Sequence, residues 1–256
     1  TGHIISYHPD SNFYNKIKIP FNVQGKFTSI TEVDSALYSL ALTGGDSKIG
    51  SILKLDLSDN TFKSYSFSDA KKQGSLPNGR LTLSSTGKLY GTSTAGGNNE
   101  NGTIFSFDLT DQVINAEFHL PKYIEKTNGG LLETQDGVLI GLSHEGGIFD
   151  NGTLFGYNIK SNLLTHYMPF KQSPNGSNPH GSLIQLENGM LCGMTSYGGL
   201  YNFGVIFIYN PIINKMHSVK SFSDIANTGF RPFGSPVQAS NGLIYGVTND
   251  GGPNGY

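Results

Sequence analysis

The chain has 256 residues and a formal net charge of -2, with only 14% of residues charged. No basic run occurs, which removes the electrostatic footing for nucleic-acid binding. The single cysteine, Cys192, excludes an internal disulfide and a cysteine-built zinc site. No apolar run reaches the roughly 18 residues that a spanning helix needs. No signal peptide precedes Thr1, so the chain is expected to be trimmed or processed.

In chain order, Gly2-His3-Ile4-Ile5-Ser6-Tyr7-His8 alternates as a strand does, and residues 15–21 form the next one. Residues 28–43 supply two more, joined near Asp34-Ser35. Four strands follow in the next unit, over residues 81–84, 88–93, 103–108 and 114–120. Helical periodicity is absent.

One stretch recurs. Gly87-Lys88-Leu89-Tyr90-Gly91 runs to Gly96-Gly97 and then to Gly102-Thr103-Ile104-Phe105-Ser106-Phe107-Asp108. Copies centre on Gly146-Gly147, Gly198-Gly199 and Gly251-Gly252, with a worn one at Gly44-Gly45. Successive pairs start at 44, 96, 146, 198 and 251, so the steps are 52, 50, 52 and 53. A period near fifty with strands inside predicts propeller blades. The 34 glycines fall in register with it, as turn residues. Each Gly-Gly pair is expected to hold at least one residue with positive φ, because every copy needs the same sharp turn. The chain opens at the third strand of a blade and ends after the second. The two ends together restore one motif. The fold is therefore expected to be an all-β, five-bladed propeller of four-stranded blades, closed by pairing its N- and C-terminal strands. It is one domain, 1–256, with repeats at about 1–49, 50–101, 102–151, 152–203 and 204–256. Cys192 replaces a repeat Tyr on a strand and is expected to be a buried structural thiol.

The repeat resembles the GloVer tandem repeat of bacterial surface proteins, the choice-of-anchor family, and more distantly kelch blades. Leu89-Tyr90-Gly91-Thr92-Ser93 before Gly-Gly carries the likeness, with Gly102-Thr103-Ile104-Phe105. A further element is Tyr65-Ser66-Phe67-Ser68-Asp69 running into Gly74-Ser75-Leu76-Pro77-Asn78-Gly79. It returns at Gly176-Ser177-Asn178-Pro179-His180-Gly181, and at Ser221-Phe222-Ser223-Asp224 with Gly229-Phe230-Arg231-Pro232-Phe233-Gly234. The resemblance implies a bacterial protein that is extracellular or attached to the cell surface. It implies no catalytic residues. The 102–151 repeat departs from the pattern, having Ile124-Glu125-Lys126-Thr127 in place of Gly-x-x-Pro. The first departs too, with Ser39-Leu40-Ala41-Leu42 where the others are polar.

No phosphate loop, paired-histidine metalloprotease motif or nucleophile elbow is present. The Asn- and Asp-rich loops lack the ordered spacing of calcium sites, so no metal or cofactor is expected. Variation between copies concentrates before Gly-Gly and at the start of each blade. The pre-Gly-Gly positions hold Thr94/Ala95, His144/Glu145, Ser196/Tyr197 and Asn249/Asp250. The blade starts add Arg80, His180 and Arg231, with Arg80 set against His180 and Phe233. Loops converging on one propeller face form the usual ligand site. The expected binding residues are thus His144, Glu145, His180, Tyr197, Arg231, Asn249 and Asp250. The alternative is drift on a solvated loop face.

The sequence supports three functions. The first is a non-enzymatic surface module binding a glycan or a protein. The second is a structural unit of a surface layer or filament. The third is a cyclase-, lactonase- or lyase-like enzyme with a central pocket, hinted at only by His144, Glu145 and Asp250. Fold alone does not choose among them.

Overall fold

The structure is a computed structural model and describes residues 2–20, 25–223 and 229–252. Phe21 of the second expected strand, Asp224, Thr1 and residues 253–256 lie outside the described residues.

The chain is built of antiparallel sheets. An N-terminal hairpin pairs β1 (His3–His8) with β2 (Phe13–Lys18). The first full sheet holds β3 (Phe27–Val33), β4 (Ala36–Ala41), β5 (Ser51–Asp56) and β6 (Phe62–Ser66) in sequence order. One helical turn, α1 (Ala70–Gln73), follows, its first amides capped by the Asp69 carboxylate. Four residues are too few to leave a helical period in the sequence. The second sheet holds β7 (Ser75–Leu83), β8 (Leu89–Ala95), β9 (Thr103–Phe107) and β10 (Ile114–His119).

In the third and fourth sheets the first strand is split. β11 (Ile124–Glu125) pairs with β14 (Glu145–Gly146), and β12 (Leu132–Glu133) pairs with β13 (Val138–Ser143). β15 (Thr153–Asn158) and β16 (Leu163–Pro169) complete that sheet. In the fourth, β17 (Ser177–Pro179) and β18 (Ile184–Gln185) both pair with β19 (Leu191–Tyr197). β20 (Val205–Asn210) and β21 (Lys215–Ser221) lie outside it. A last pair is β22 (Val237–Gln238) with β23 (Ile244–Tyr245).

The split, like the register shift between Asn78 and Thr82 in β7, falls where the repeats approach closely. The first strand of each sheet leaves its neighbour to touch the next repeat. A Cβ added at Gly79 would sit 2.4 Å from the Gly129 carbonyl oxygen, one at Gly129 2.7 Å from that of Gly181, and one at Gly181 2.3 Å from that of Gly234. Glycines therefore touch glycines across four consecutive repeats. Side chains continue the ladder. Ser29 Oγ donates to the Gly79 carbonyl, Gly130 N–H to Ser182 Oγ at 2.7 Å, and Ser182 N–H to Ser235 Oγ at 2.8 Å.

The Gly-Gly pairs turn the chain from second to third strand. Both glycines of all five pairs have positive φ, for example 73° and 74° at Gly96 and Gly97.

In the second and third sheets the inner strands are buried on both faces, because a neighbouring sheet covers each side. On β13, Leu139 packs with Tyr90 and Ile104 of the second sheet. Val138, Ile140 and Leu142 pack with Leu191 and Phe207 of the fourth. This is why those strands read as continuous apolar runs. A third cluster joins the first two sheets through Tyr38, Ile52, Phe67, Leu89 and Phe105. Cys192 is buried on β19, and burial pushes its thiol up to about 11, as suits a packing residue.

The N-terminal hairpin packs Ile4 and Ile19 on Leu53 of the first sheet. Its Ile5 and Tyr7 are 63% and 60% exposed, whereas Phe105 and Phe107 at the matching positions of β9 are 0% and 1% exposed. Ile244 and Tyr245 on β23 are likewise exposed where Leu89 and Tyr90 are buried. Among the described residues β1 pairs only with β2 and β23 only with β22. The expected closure, β1 beside β23, is not among these pairings.

Candidate functional site

Two loop positions meet at one end of the sheets. The first lies just before the Pro of the blade-start element. Leu76, Lys126, Asn178 and Arg231 occupy it, and all four are left-handed, with φ of 53°, 53°, 55° and 54°. Non-glycine residues seldom adopt this conformation. Backbone bonds hold it. The amides of Leu76, Asn178 and Arg231 donate to carbonyls of the preceding repeat, at Ile49, Asn151 and Phe203. The third repeat, which lacks Gly-x-x-Pro in sequence, keeps the same backbone at Lys126.

The second position is the residue pair before Gly-Gly. Thr94 Oγ1 donates to the Leu76 carbonyl, His144 N–H to that of Lys126, and Asn249 N–H to that of Arg231 at 3.1 Å. The two positions thus face each other within a repeat, and their side chains match in charge. Lys126 Nζ lies 2.6 Å from Glu145 Oε1. Arg231 Nη1 lies 3.7 Å from Asp250 Oδ2. In the second and fourth repeats, where the first position is uncharged Leu76 or Asn178, the second is Ala95 or Tyr197. The bond to Glu145 raises the Lys126 pKa and keeps the ammonium charged.

The Arg231 guanidinium also stacks on Tyr197, 4.9 Å from the ring centroid. Four expected site residues therefore meet in space: Tyr197, Arg231, Asp250 and, through its backbone, Asn249. His144 and His180 form a second group, with ring centroids 4.1 Å apart. Phe233 adds an edge contact to His180 at 4.6 Å. Burial, and then the neighbouring His144, pushes the His180 imidazole down to about 4. Burial also lowers His144. Both rings are neutral at pH 7. Glu145 joins neither group and is held by Lys126. His144, Glu145 and Asp250 are each engaged by a different partner.

His180 and Phe233 also border a cavity of about 490 Å³. It is lined by the first-strand segments of all five repeats, at residues 28–29, 78–80, 128–129, 180–184 and 233–237. Alignment on Pro77, Pro179 and Pro232 shows which residues correspond. Asn78, Asn128, His180 and Phe233 share one position, at steps of 50, 52 and 53. Asn78 is therefore the counterpart of His180 and Phe233. Arg80, which the sequence reading set against them, lies two residues further along. Asn78, Asn128 and Lys126 were not among the expected residues, although Asn78 and Asn128 lie 18 residues before their Gly-Gly pairs, as His180 and Phe233 do, and Lys126 lies 20 before its own, as Arg231 does; that fixed offset is the signal that finds them. Asn78 Nδ2 donates to Asn128 Oδ1 at 3.1 Å, and Gly79 N–H donates to Asn78 Oδ1 at 2.9 Å. Among the described residues no group of three His, Cys, Asp or Glu converges as a metal site would require.

Solved structures resemble this arrangement. The extracellular domain of the one-component system BT4673 from B. thetaiotaomicron matches with a TM-score of 0.66 at 13% identity, covering 97% of this chain and 29% of that one. TolB from Acinetobacter baumannii matches at 0.60 and 16% identity, covering 97% of this chain and 54% of that one. The β-propeller domain of the Trilobed protease from Pyrococcus furiosus, described as having an open velcro topology, matches at 0.51 and 13% identity, covering 87% and 65%. The chain thus spans about a third to two thirds of the length of these structures. No curated protein matches its sequence. Sheets stacked around a shared cavity, with these neighbours, make the chain an all-β protein of the propeller class. Residues 125–256, about half of it, match the Gloeobacter/Verrucomicrobia repeat, and the chain belongs to that repeat family.

Proposed function

We propose that this protein is a non-enzymatic binding module, extracellular or on the bacterial cell surface, which holds a glycan or a protein partner on its loop face. The observation that carries this reading is the cluster of Arg231, Tyr197 and Asp250 beside the His144–His180 pair. It brings together one cation stacked on an aromatic ring and two neutral imidazoles, of which His180 lines the cavity, a mixture suited to recognition. The binding residues are His144, Glu145, His180, Tyr197, Arg231, Asn249 and Asp250. Export is supported by the resemblance to surface proteins and by the extracellular BT4673 domain. No helix among the described residues is long and apolar enough to cross a membrane. A glycan array and a pull-down from surface extracts test this. The wild type should bind, and the double variant Tyr197→Ala/Asp250→Ala should not. A wild type that captures nothing in either assay rejects the reading.

The five repeats form one ring, with β1–β2 supplying the third and fourth strands beside β22–β23. Lining of one cavity by all five repeats supports this. In that register Ile5 stands opposite Gly246, as Phe105 stands opposite Gly91. A second reading, a building block of a surface layer, is favoured by the exposed Ile5, Tyr7, Ile244 and Tyr245. There the hairpin of one copy completes the sheet of another. Cysteines at Ile5 and Gly246 separate the two: a disulfide within one chain supports the ring, and one between chains supports the layer.

A further inference from the structure

The cavity is chemically uneven. Its lining includes no acidic residue and one charged one, Arg80. Among the described residues Arg80 has no carboxylate partner, in contrast to Lys126 and Arg231 in the loops above. Phe233, 39% exposed, lines the same cavity. The lining also holds Asn128, whose amide N–H groups are free of protein partners among the described residues, and His180, whose ring nitrogens are likewise free. Lys126 and Arg231 are each neutralised by a carboxylate, and the cavity cation Arg80 is not. An unpaired guanidinium among neutral hydrogen-bonding groups is built to receive a carboxylate. An exposed phenyl ring offers an apolar face to the C–H side of a pyranose. Amide and imidazole groups can exchange hydrogen bonds with its hydroxyls. The volume, about 490 Å³, lies in the range of small-ligand pockets.

The geometry points to a glycan-binding channel that takes a carboxylate-bearing pyranose, a uronic acid unit, with its carboxylate on Arg80, its ring against Phe233 and its hydroxyls on Asn128 and His180. This rests on the binding-module reading and names its ligand class. It places the recognised sugar below the loop cluster, with His180 shared between the two. Asn78, Asn128, His180 and Phe233 hold matching positions in successive repeats, so the repeats supply unlike groups at one level of the channel. One sugar can then meet several walls at once.

Calorimetric titration with methyl β-glucuronide and methyl β-glucoside tests the assignment, since the two differ only at C6. The glucuronide should bind at least about tenfold more tightly, the difference that one charge-assisted pair supplies. Arg80→Gln should remove that preference, and it leaves the fold intact because the side chain is exposed. Phe233→Ala should weaken both sugars, and Phe233→Leu, which keeps apolar volume, serves should the alanine variant melt early. Equal binding of the two sugars, a preference that survives Arg80→Gln, or failure of both to bind the wild type overturns the inference. In each case capture on the array or in the pull-down still decides the binding-module reading separately.

Discussion

Gly141 lies directly opposite Phe155 in the pairing of β13 with β15, and a Cβ on Gly141 would fall 2.5 Å from Phe155 Cζ. The same pair recurs as Gly91 with Phe105 and Gly193 with Phe207. In the first repeat it becomes Ser39 opposite Leu53. A larger residue on one strand is matched by a smaller one on the other, so total volume is kept. Gly141→Ala should therefore destabilise by about 2 kcal/mol through overpacking. Gly141→Ser with Phe155→Leu, the first repeat's combination, should recover at least about 1 kcal/mol of the loss in Gly141→Ser alone, given how contacting sites couple. Urea melts of the three variants check this, and strict additivity contradicts the pairing.

Gly97 has φ of 74°, and its Cβ site is crowded by the Gly102 carbonyl oxygen at 2.8 Å. Backbone strain and contact act together there. Gly97→Val should cost at least about 1 kcal/mol, seen as a lowered melting temperature. An unchanged melting curve rejects the turn as a constraint.

Lys126 and Glu145 form a half-exposed ion pair whose counterpart in the second repeat is Leu76 with Ala95. Such pairs contribute little, about 0 to 1 kcal/mol. Lys126→Leu with Glu145→Ala should leave stability within about 0.5 kcal/mol of the wild type. If the double variant loses several times that in chemical denaturation, the pair has a structural role beyond matching charge.

His180 is held neutral, with its pKa lowered from 6.5 to about 4. The unfolded chain takes up the proton first as pH falls, so its contribution is complete above about pH 6.5 and is lost progressively between pH 6.5 and 4. For a half-exposed ring the loss is discounted to about 1 kcal/mol. Melting temperature plotted against pH should fall through that window, and His180→Phe should flatten the curve. A curve equally steep in the variant assigns the titration to other groups.

The period near fifty, the Gly-Gly turns and the apolar runs of the second and third strands were legible in the sequence. They are local: each strand's length, each turn's φ and each repeat's spacing are written in consecutive residues. The inner strands could be placed as doubly covered because residues 138–142 are apolar without alternation. Family membership followed from the same repeats.

Which loop residues meet was not legible. Glu145 and Asp250 read as candidate ligand groups because they differ between copies. In space each is answered by a cation about 19 residues earlier, Lys126 or Arg231. Much of the variation before Gly-Gly thus follows a within-repeat charge match. The level at which Asn78, Asn128, His180 and Phe233 face one cavity was equally hidden, since residues some fifty positions apart become neighbours only through the packing of one repeat on the next. Sequence determined the blade, because a blade is made from local hydrogen bonding and alternation. The tertiary structure decided the site, because it is made from contacts between blades, where separation along the chain carries no information about distance.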